Sequence, residues 1–429
     1  ISKLNPQLNS LIAVDPESAL EQAAEIDAAR DRGEDLGPLA GVTLGVKDAV
    51  PVKGMPWTIN SRIFEHRVPE YDAPAITRLK KAGAIIIGKA NLNEFFSRPT
   101  ESDLNPPPWN PWNPERMSVG SSSGSGAALA ARMASGTIGV DGGGSVRLPA
   151  GAHNLYGIKP THGLVSRIGV GRSEHSEICP LGFTALDTAM MLEAMVGYEP
   201  ADDLSWPGDV PEYAANIDTD ISGWRIGVPR GFIDSVPNES EVIKGFEDFL
   251  KKLEALGCEL IEFDIQGMAE ARAATFLTLF SNSYQRHQKT VKEDWDTYGP
   301  QSRVNLLQGA FMSSTDLINA GDVGRAFKAY FSKKLADLSL KAVATPTSPF
   351  ATAERSRRPD EHSRGINACY TAPFNISGHP SISVPAGFGE AGIPVGAMLT
   401  GETHDDLSLL QLAHAYDKAT DYATLSPSI

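Results

Sequence analysis

The sequence contains little cysteine and no long apolar run. Its 429 residues include three cysteines, Cys179, Cys258 and Cys369, and none of them belongs to a C-x-x-C pair. An odd number at such spacing argues against a disulfide framework and against a structural zinc site. Because no stretch of about 20 apolar residues is present, a membrane-spanning helix is not expected.

Basic charge is also scarce, with 38 basic against 53 acidic residues and a net charge of −15. Nucleic-acid binding needs a basic surface, so this composition disfavours it.

The nine histidines show no metal-binding spacing, and we expect neither a metal nor a cofactor. The cysteine usage predicts a reducing compartment, the cytoplasm. Because the chain begins at Ile1 and not at Met, we expect its native N-terminus, with any targeting segment, to be missing.

Apolar residues make up 41% of the chain, enough for a sizeable core. Length alone suggests two or three domains. A predicted helix over 238–257 is followed by a predicted strand over 258–263, an alternation that is typical of α/β folds. Asn238 and Glu241 resemble a capping box at the start of that helix. Most of 268–340 also has a helical pattern.

A glycine- and serine-rich segment over 120–145 carries the strongest functional signal. One interpretation is a flexible linker, although AALAARMA and TIGV interrupt the run with folded character. A second is a nucleophile elbow, because residues 120–124 match G-x-S-x-G with Ser122 as the nucleophile. That motif follows a strand, whereas NPERMSV, with a proline and two charges, precedes it here. A third interpretation takes the whole segment together with motifs elsewhere in the chain.

On those motifs the chain resembles the amidase signature family. VGSSSGSGAALAA (119–131) and VDGGGSVRLPA (140–150) align with its signature without a gap. Other matching motifs follow in the family's order, among them PLAGVTLGVKD, GAIIIGKANLNEF, YGIKPTHGLVSRIGV, TPTSP and TAPFNISGHPSISVPAGF. The resemblance implies one α/β domain over 1–429, a three-layer α/β/α fold around a central mixed, many-stranded sheet. Within it we expect a signature core at about 38–185 and a variable helical substrate-pocket region at about 265–335.

The resemblance also implies a Ser-Ser-Lys triad. Lys47 matches the family's catalytic lysine, Ser121 the serine that follows a cis peptide bond, and Ser145 the nucleophile. A lysine acts as a base only when it is neutral, so burial must lower its pKa from about 10.4. Lys47 would then take a proton from Ser121, and Ser121 one from Ser145. Ser145 would attack the carbonyl and form an acyl-enzyme, which water hydrolyses.

Three glycines precede the expected nucleophile. We expect the backbone N–H groups of Gly142, Gly143 and Gly144 to form an oxyanion hole, because no side chains obstruct them. Asp141 and Arg147 are expected to support this loop.

The stretch HSEICPLGFT (175–184) departs from the family pattern, with Cys179 where glycine is usual. This departure weakens any transfer of a substrate from better-known members. Specificity is expected to come from a proline- and tryptophan-rich loop (104–118) and from aromatic residues of the helical region. The expected substrate-pocket residues are Trp109, Trp112, Cys179, Phe276 and Phe280. The competing interpretation assigns these aromatic side chains to the core.

We therefore expect an amidohydrolase that cleaves the C–N bond of a small-molecule amide. Carbamates, aryl amides and esters are close alternatives, because all react through a tetrahedral oxyanion. The expected protein is a monomer or homodimer without nucleic-acid or membrane partners. The alternative is the A subunit of a glutamyl-tRNA amidotransferase, which the short chain, the departure at 175–184 and the acidic charge disfavour. A non-catalytic binding protein is a third possibility, which the complete triad disfavours.

Overall fold

The structure is a computed structural model that describes residues 1–97, 104–170, 175–352 and 368–429. These residues form one sheet of 11 strands. In chain order the strands are β1 (Leu11–Val14), β2 (Thr43–Lys47), β3 (Ile85–Ala90), β4 (Gly136–Asp141), β5 (Tyr156–Lys159), β6 (Glu177–Gly182), β7 (Arg225–Val228), β8 (Glu259–Glu262), β9 (Ala342–Pro346), β10 (Ser381–Phe388) and β11 (Pro394–Thr400). The helices are α1 (Asn5–Leu8), α2 (Pro16–Asp31), α3 (Pro74–Lys81), α4 (Ser123–Ala130), α5 (Arg147–Ala152), α6 (Ala185–Met195), α7 (Arg230–Ser235), α8 (Ser240–Ala255), α9 (Met268–Glu293), α10 (Pro300–Ala310), α11 (Ser314–Asp337), α12 (Pro373–Ile376) and α13 (Asp406–Lys418).

The sheet is mixed, as expected. Its strand order is β1-β3-β2-β4-β6-β5-β10-β11-β9-β7-β8. Strand β2 runs parallel to β3 and β4, and β7 runs parallel to β8 and β9. The other neighbours pair in the antiparallel sense. The two parallel groups therefore lie on either side of an antiparallel centre.

Helices cover both faces of the sheet. In β4, Gly136 lies against Met191 of α6, whereas the next residue, Thr137, donates its hydroxyl proton to the Ser125 carbonyl of α4. Successive residues of a strand point to opposite faces, so α6 and α4 lie on opposite sides of the sheet. The same alternation along β11 separates α8 from α5. The expected three-layer α/β/α fold is thus confirmed.

The capping box expected at Asn238 and Glu241 does not form. The Asn238 side-chain amide donates to the carbonyls of Ile233 and Val236 in the preceding turn. The Glu241 carboxylate accepts the backbone N–H of Glu390. Helix α8 forms nevertheless, because its apolar face packs against β10 and β11, and tertiary packing supplies most helix stability in proteins.

A large cluster of buried apolar side chains reaches from Leu39 to Tyr416. Strands from both ends of the chain share the sheet, and this continuity supports our proposal of a single domain. Helix α9 packs against α10 and α11, within the region expected to be helical. Of the helices described, none combines the length and the apolar character needed to cross a bilayer.

Truncation of a buried α8 side chain tests this packing. Phe246 is 0% exposed, whereas Phe311, beyond α10, is 84% exposed. Phe246→Ala should lower the free energy of unfolding by about 3–5 kcal/mol, because it leaves a cavity in the core. Phe311→Ala should change it by no more than about 0.5 kcal/mol. Denaturant unfolding followed by circular dichroism measures both, and equal losses would contradict the packing described.

Candidate active site

Lys47 is the last residue of β2, and its side chain is fully buried. Its Nζ lies 2.7 Å from Ser121 Oγ, 2.8 Å from Ser122 Oγ and 3.3 Å from the Val140 carbonyl oxygen. Among the described residues, no carboxylate lies within ion-pair distance of this amine. The polar neighbours of the amine are therefore hydroxyl and carbonyl oxygens.

Burial lowers the pKa of Lys47 to about 7, although Asp141 and Cys179 act to raise it. A neutral amine has two N–H donors and one lone pair. The Val140 carbonyl can only accept, and the Ser122 hydroxyl donates its proton to that same carbonyl at 3.3 Å. Both oxygens therefore accept N–H bonds from Lys47. The lone pair remains for the Ser121 hydroxyl, which is the arrangement that a general base requires.

Ser121 follows a cis peptide bond from Gly120 and lies just before α4. The backbone N–H of Ser122 donates to the Ser145 carbonyl at 3.2 Å, which joins the two serine segments. Within the part of the chain that the structure describes, the Ser145 hydroxyl has no hydrogen-bond partner, and the residue lines the cavity described below. The contact between Ser121 and Ser145 is thus still open, as catalytic hydrogen bonds often are before substrate binds.

Asp141 and Arg147 form a buried ion pair that shapes the serine loop. Both side chains are 0% exposed, and two guanidinium–carboxylate contacts of 2.9 and 3.0 Å join them. Burial alone would raise the pKa of Asp141, but Arg147, Asn375 and the Val146 N–H hold it well below its usual value. The carboxylate also accepts the Gly144 N–H at 2.8 Å. Asp141 therefore fixes the loop by direct bonds, as expected of a supporting residue.

The glycine run offers backbone donors to the cavity, but not all three glycines contribute equally. The Gly144 N–H is already bound to the carboxylate, so this residue serves the shape of the loop. Its φ is +122°, and a Cβ atom would stand 2.3 Å from Thr371 Oγ1. The N–H groups of Gly142, Gly143 and Ser145 have no acceptor among the described residues. These three are the donors that we now propose for the oxyanion hole.

A cavity of about 590 Å³ opens over Ser121 and Ser145. Its walls are largely apolar, and Phe276 and Phe280 of α9 are among them. Small-molecule sites commonly have this character, a mostly apolar cleft with a few placed polar groups. Elsewhere in the described chain, no group of three His, Cys, Asp or Glu side chains is placed to hold a metal ion.

Three of the expected pocket residues lie outside the cavity lining, which corrects the prediction for Trp109, Trp112 and Cys179. Trp112 donates its indole N–H to the His153 carbonyl and packs edge-on against Phe388. Trp109 packs against a small apolar cluster near the N-terminus. Cys179 is 0% exposed in β6, and burial raises the pKa of its thiol well above the ordinary value. The two tryptophans of the proline-rich loop therefore provide packing, whereas Met117 and Ser118 at its end line the cavity. Cys179 belongs to the interior.

Ser122 has a role that the sequence did not reveal. The sequence singled it out only as the nucleophile of a G-x-S-x-G match, yet it binds Lys47 and orients the N–H donors of that amine. The side chain is 0% exposed, so no substrate can reach its hydroxyl, and α4 follows it without a preceding strand. The nucleophile-elbow interpretation is therefore disfavoured. Phe96 was also missed: its ring centroid lies 5.2 Å from Lys47 Nζ.

Comparison with known proteins identifies the family of the chain. The family model described as Amidase matches residues 1–410. The chain belongs to this amidase family. It is accordingly a hydrolase of the type that acts on C–N bonds.

Its relatives within the amidase family cover nearly the whole chain. The A subunit of the glutamyl-tRNA(Gln) amidotransferase of Thermosynechococcus vestitus is 33% identical, over 100% of this chain and 94% of that protein. The crystal structure of the corresponding A subunit from Thermotoga maritima superimposes with a TM-score of 0.82 at 29% identity, covering 97% of this chain and 89% of that one. A chain from a vestigial complex that reveals the origins of an s-triazine catabolic enzyme has a TM-score of 0.90 at 25% identity, with coverage of 98% and 93%.

The pKa of Lys47 predicts a pH profile. If its neutral amine is the base, kcat/KM for an amide should rise with pH through about 7 and then level off. Lys47→Ala should lower kcat/KM by about 10²–10⁴-fold. Lys244→Ala, at a lysine that is 79% exposed, provides the control. A profile that is flat from pH 5 to 9, or near-wild-type activity of Lys47→Ala, would refute the assignment.

Removal of the Ser122 hydroxyl, which accepts a hydrogen bond from Lys47, should have a smaller effect on activity than removal of Lys47 itself. Ser122→Ala should lower kcat by about tenfold with little change in KM, because the amine loses a hydrogen bond that directs its lone pair. Ser125→Ala is the matched control, because it removes an α4 hydroxyl whose one acceptor among the described residues is the Ile138 carbonyl of β4. Steady-state kinetics on folded variants, checked by thermal unfolding, measure the effect. Equal losses in both variants would assign it to helix packing.

Proposed function

We propose that the chain hydrolyses an amide C–N bond through an acyl-enzyme on Ser145, with Ser121 as relay and Lys47 as base. The observation that carries the proposal is the buried Lys47 amine, which has a pKa of about 7 and lies 2.7 Å from Ser121 Oγ. A lysine held in this state is of use to an acid–base reaction near neutral pH.

The proton transfers follow the hydrogen bonds. As Ser145 Oγ attacks the carbonyl carbon, its proton passes to Ser121 Oγ, and the Ser121 proton passes to Lys47 Nζ. The oxyanion accepts hydrogen bonds from the free N–H groups of the glycine loop. When the C–N bond breaks, the relay runs in reverse and protonates the leaving amine. Water then attacks the acyl-enzyme by the same route, which releases the acid and restores Ser145.

Two substrate assignments compete for this chemistry. The first is a free-standing hydrolase of a small-molecule amide, with carbamates, aryl amides and esters as related substrates. The second is the A subunit of a glutamyl-tRNA amidotransferase, which would work with partners. The relatives named as such subunits, 31–33% identical over the full chain, favour the second assignment. A monomeric or homodimeric state and a cytoplasmic location stay predictions.

A substrate panel separates the two assignments. The purified chain is incubated alone with simple primary amides, aryl amides, carbamates, esters and glutamine, and ammonia or amine release is followed. A free-standing hydrolase turns over simple amides without partners and ignores glutamine. A component of an amidotransferase releases ammonia from glutamine, and more of it when tRNA and the partner subunits are added.

Covalent labelling tests the nucleophile itself. A fluorophosphonate should label the wild-type protein on Ser145 and should leave Ser145→Ala unlabelled, because only an activated serine attacks phosphorus. Ser123→Ala, a buried neighbour outside the proposed relay, should be labelled like the wild type. Amidase activity of Ser145→Ala should fall by about 10³-fold or more. Peptide mapping that finds the label on Ser118, which lies 2.9 Å from His153 Nε2, would overturn the assignment.

A further inference from the structure

The described lining of the cavity over Ser145 carries positive charge and no negative charge. Of the described residues that line it, Arg67 and Arg286 are cationic and none is an aspartate or glutamate. The chain as a whole has a net charge of −15, so this is a local reversal of sign. A cleft lined by one sign of charge concentrates ligands of the other.

Arg67 is held rigidly with donors to spare. Its guanidinium carbon lies 3.8 Å from the Trp57 ring centroid and 3.9 Å from that of Phe64. Its Nε–H donates to the Trp57 carbonyl, whereas Nη2 is buried and has no hydrogen-bond partner among the described residues. The nearby Asp48 is already paired with Lys89 at 3.5 Å. An unsatisfied buried donor is costly, so this N–H group is suited to a ligand acceptor.

Helix α9 supplies the other donors along one face. Phe276, Leu279, Asn282 and Arg286 all line the cavity at helical spacing. Leu279 marks the catalytic end, because it lies 3.3 Å from the position of a Cβ on Gly142. Asn282 Nδ2 is buried and unpartnered among the described residues. Arg286 lies seven residues after Leu279, which corresponds to about 10 Å along the helix axis.

The two arginines come from different segments, and each lies close enough to His287 to affect its charge. Arg67 lies over the Phe64 ring, and the centroid of that ring is 5.9 Å from that of His287, the neighbour of Arg286. Burial, followed by the positive charges of Arg286 and Arg67, lowers the pKa of His287 to about 4. His287 is therefore neutral at physiological pH and adds no compensating charge. Arg286 itself has no ion-pair or hydrogen-bond partner in the part of the chain that the structure describes.

We propose that the substrate of this amidase carries a carboxylate, which Arg67, Asn282 and Arg286 bind at the end of the cavity away from the serine loop. The inference rests on the amide hydrolysis proposed above and adds the class of amide. Planar guanidinium groups match the two oxygens of a carboxylate. The apolar wall formed by Phe276 and Phe280 suits a hydrocarbon spacer between that carboxylate and the scissile amide.

Substrate pairs that match in length but differ in charge test the proposal directly. Adipamate and hexanamide differ only in the terminal carboxylate, and ammonia release reports on both. Adipamate should be favoured in kcat/KM by about tenfold or more, as a charge-assisted hydrogen bond would give. In a series from succinamate to suberamate, kcat/KM should be highest at one chain length, because helix α9 fixes the distance between the carboxylate site and the serine loop. N-benzoyl-β-alanine and N-propylbenzamide repeat the comparison with the charge on the amine side.

Substitution of Arg286 tests whether the preference for anionic substrates arises at this site. Arg286→Gln should bring the ratio of anionic to neutral kcat/KM towards one, and Arg286→Lys should restore part of it. Arg286→Glu should turn the preference towards amides that carry a terminal amine. Arg325→Gln, the same change at an exposed position of α11, should leave the ratio at its wild-type value. Arg67→Gln, verified as folded by circular dichroism, should act in the same direction as Arg286→Gln.

The outcomes separate this inference from the amidase assignment. If both neutral amides react as fast as their anionic partners, the carboxylate proposal is wrong while the amidase assignment stands. If no amide reacts and fluorophosphonate leaves Ser145 unlabelled, the amidase assignment fails. Calorimetry with hexanoate and hexanamide then still decides on the carboxylate site. Binding of hexanoate alone, lost in Arg286→Gln, supports the site, and equal binding of both ligands overturns it.

Discussion

The constraint on which the rest of the site depends is a buried lysine amine, Lys47 Nζ, that has no carboxylate partner among the described residues. The interior disfavours the ammonium form, and hydroxyl and carbonyl oxygens do not restore it. Asp141 is close enough to raise the pKa of Lys47, yet its charge is shared with Arg147 in a fully buried pair. The Asp141–Arg147 pair therefore shapes the serine loop and also keeps the Asp141 charge from holding a proton on Lys47.

The site divides into two parts with different structural origins. Strand ends and the turns that follow them supply the proposed reacting groups and their support: Lys47 ends β2, Ser121 precedes α4, and the supporting Asp141 ends β4. Helix α9 supplies the wall opposite the glycine loop and the charged end of the cavity. We thus assign bond cleavage to residues at the ends of strands in the sheet, and selectivity to helix α9. Such a division lets the substrate change while the chemistry is kept.

Sequence patterns predicted the α/β class, because helix and strand periodicities are local properties. The signature motifs also named Lys47 and Ser121, which the structure brings within hydrogen-bond distance. The sheet order was not predicted, since it depends on pairings between distant segments. The expected pocket role of Cys179 was wrong for a related reason. Cys179 lies in β6, a strand none of whose residues lines the cavity, and the place of that strand in the sheet is set by the same distant pairings.

The buried network around Arg147 has a consequence for biosynthesis. Its guanidinium group bonds the Thr371 carbonyl and the Asn375 side chain, the latter 228 residues further along the chain. Thr371 also donates to the Gly143 carbonyl. The shape of the serine loop is therefore complete only when the segment that contains Thr371 and Asn375 has docked. On the ribosome, Ser145 is synthesised long before this segment, so we expect the proposed nucleophile of a nascent chain to be unreactive.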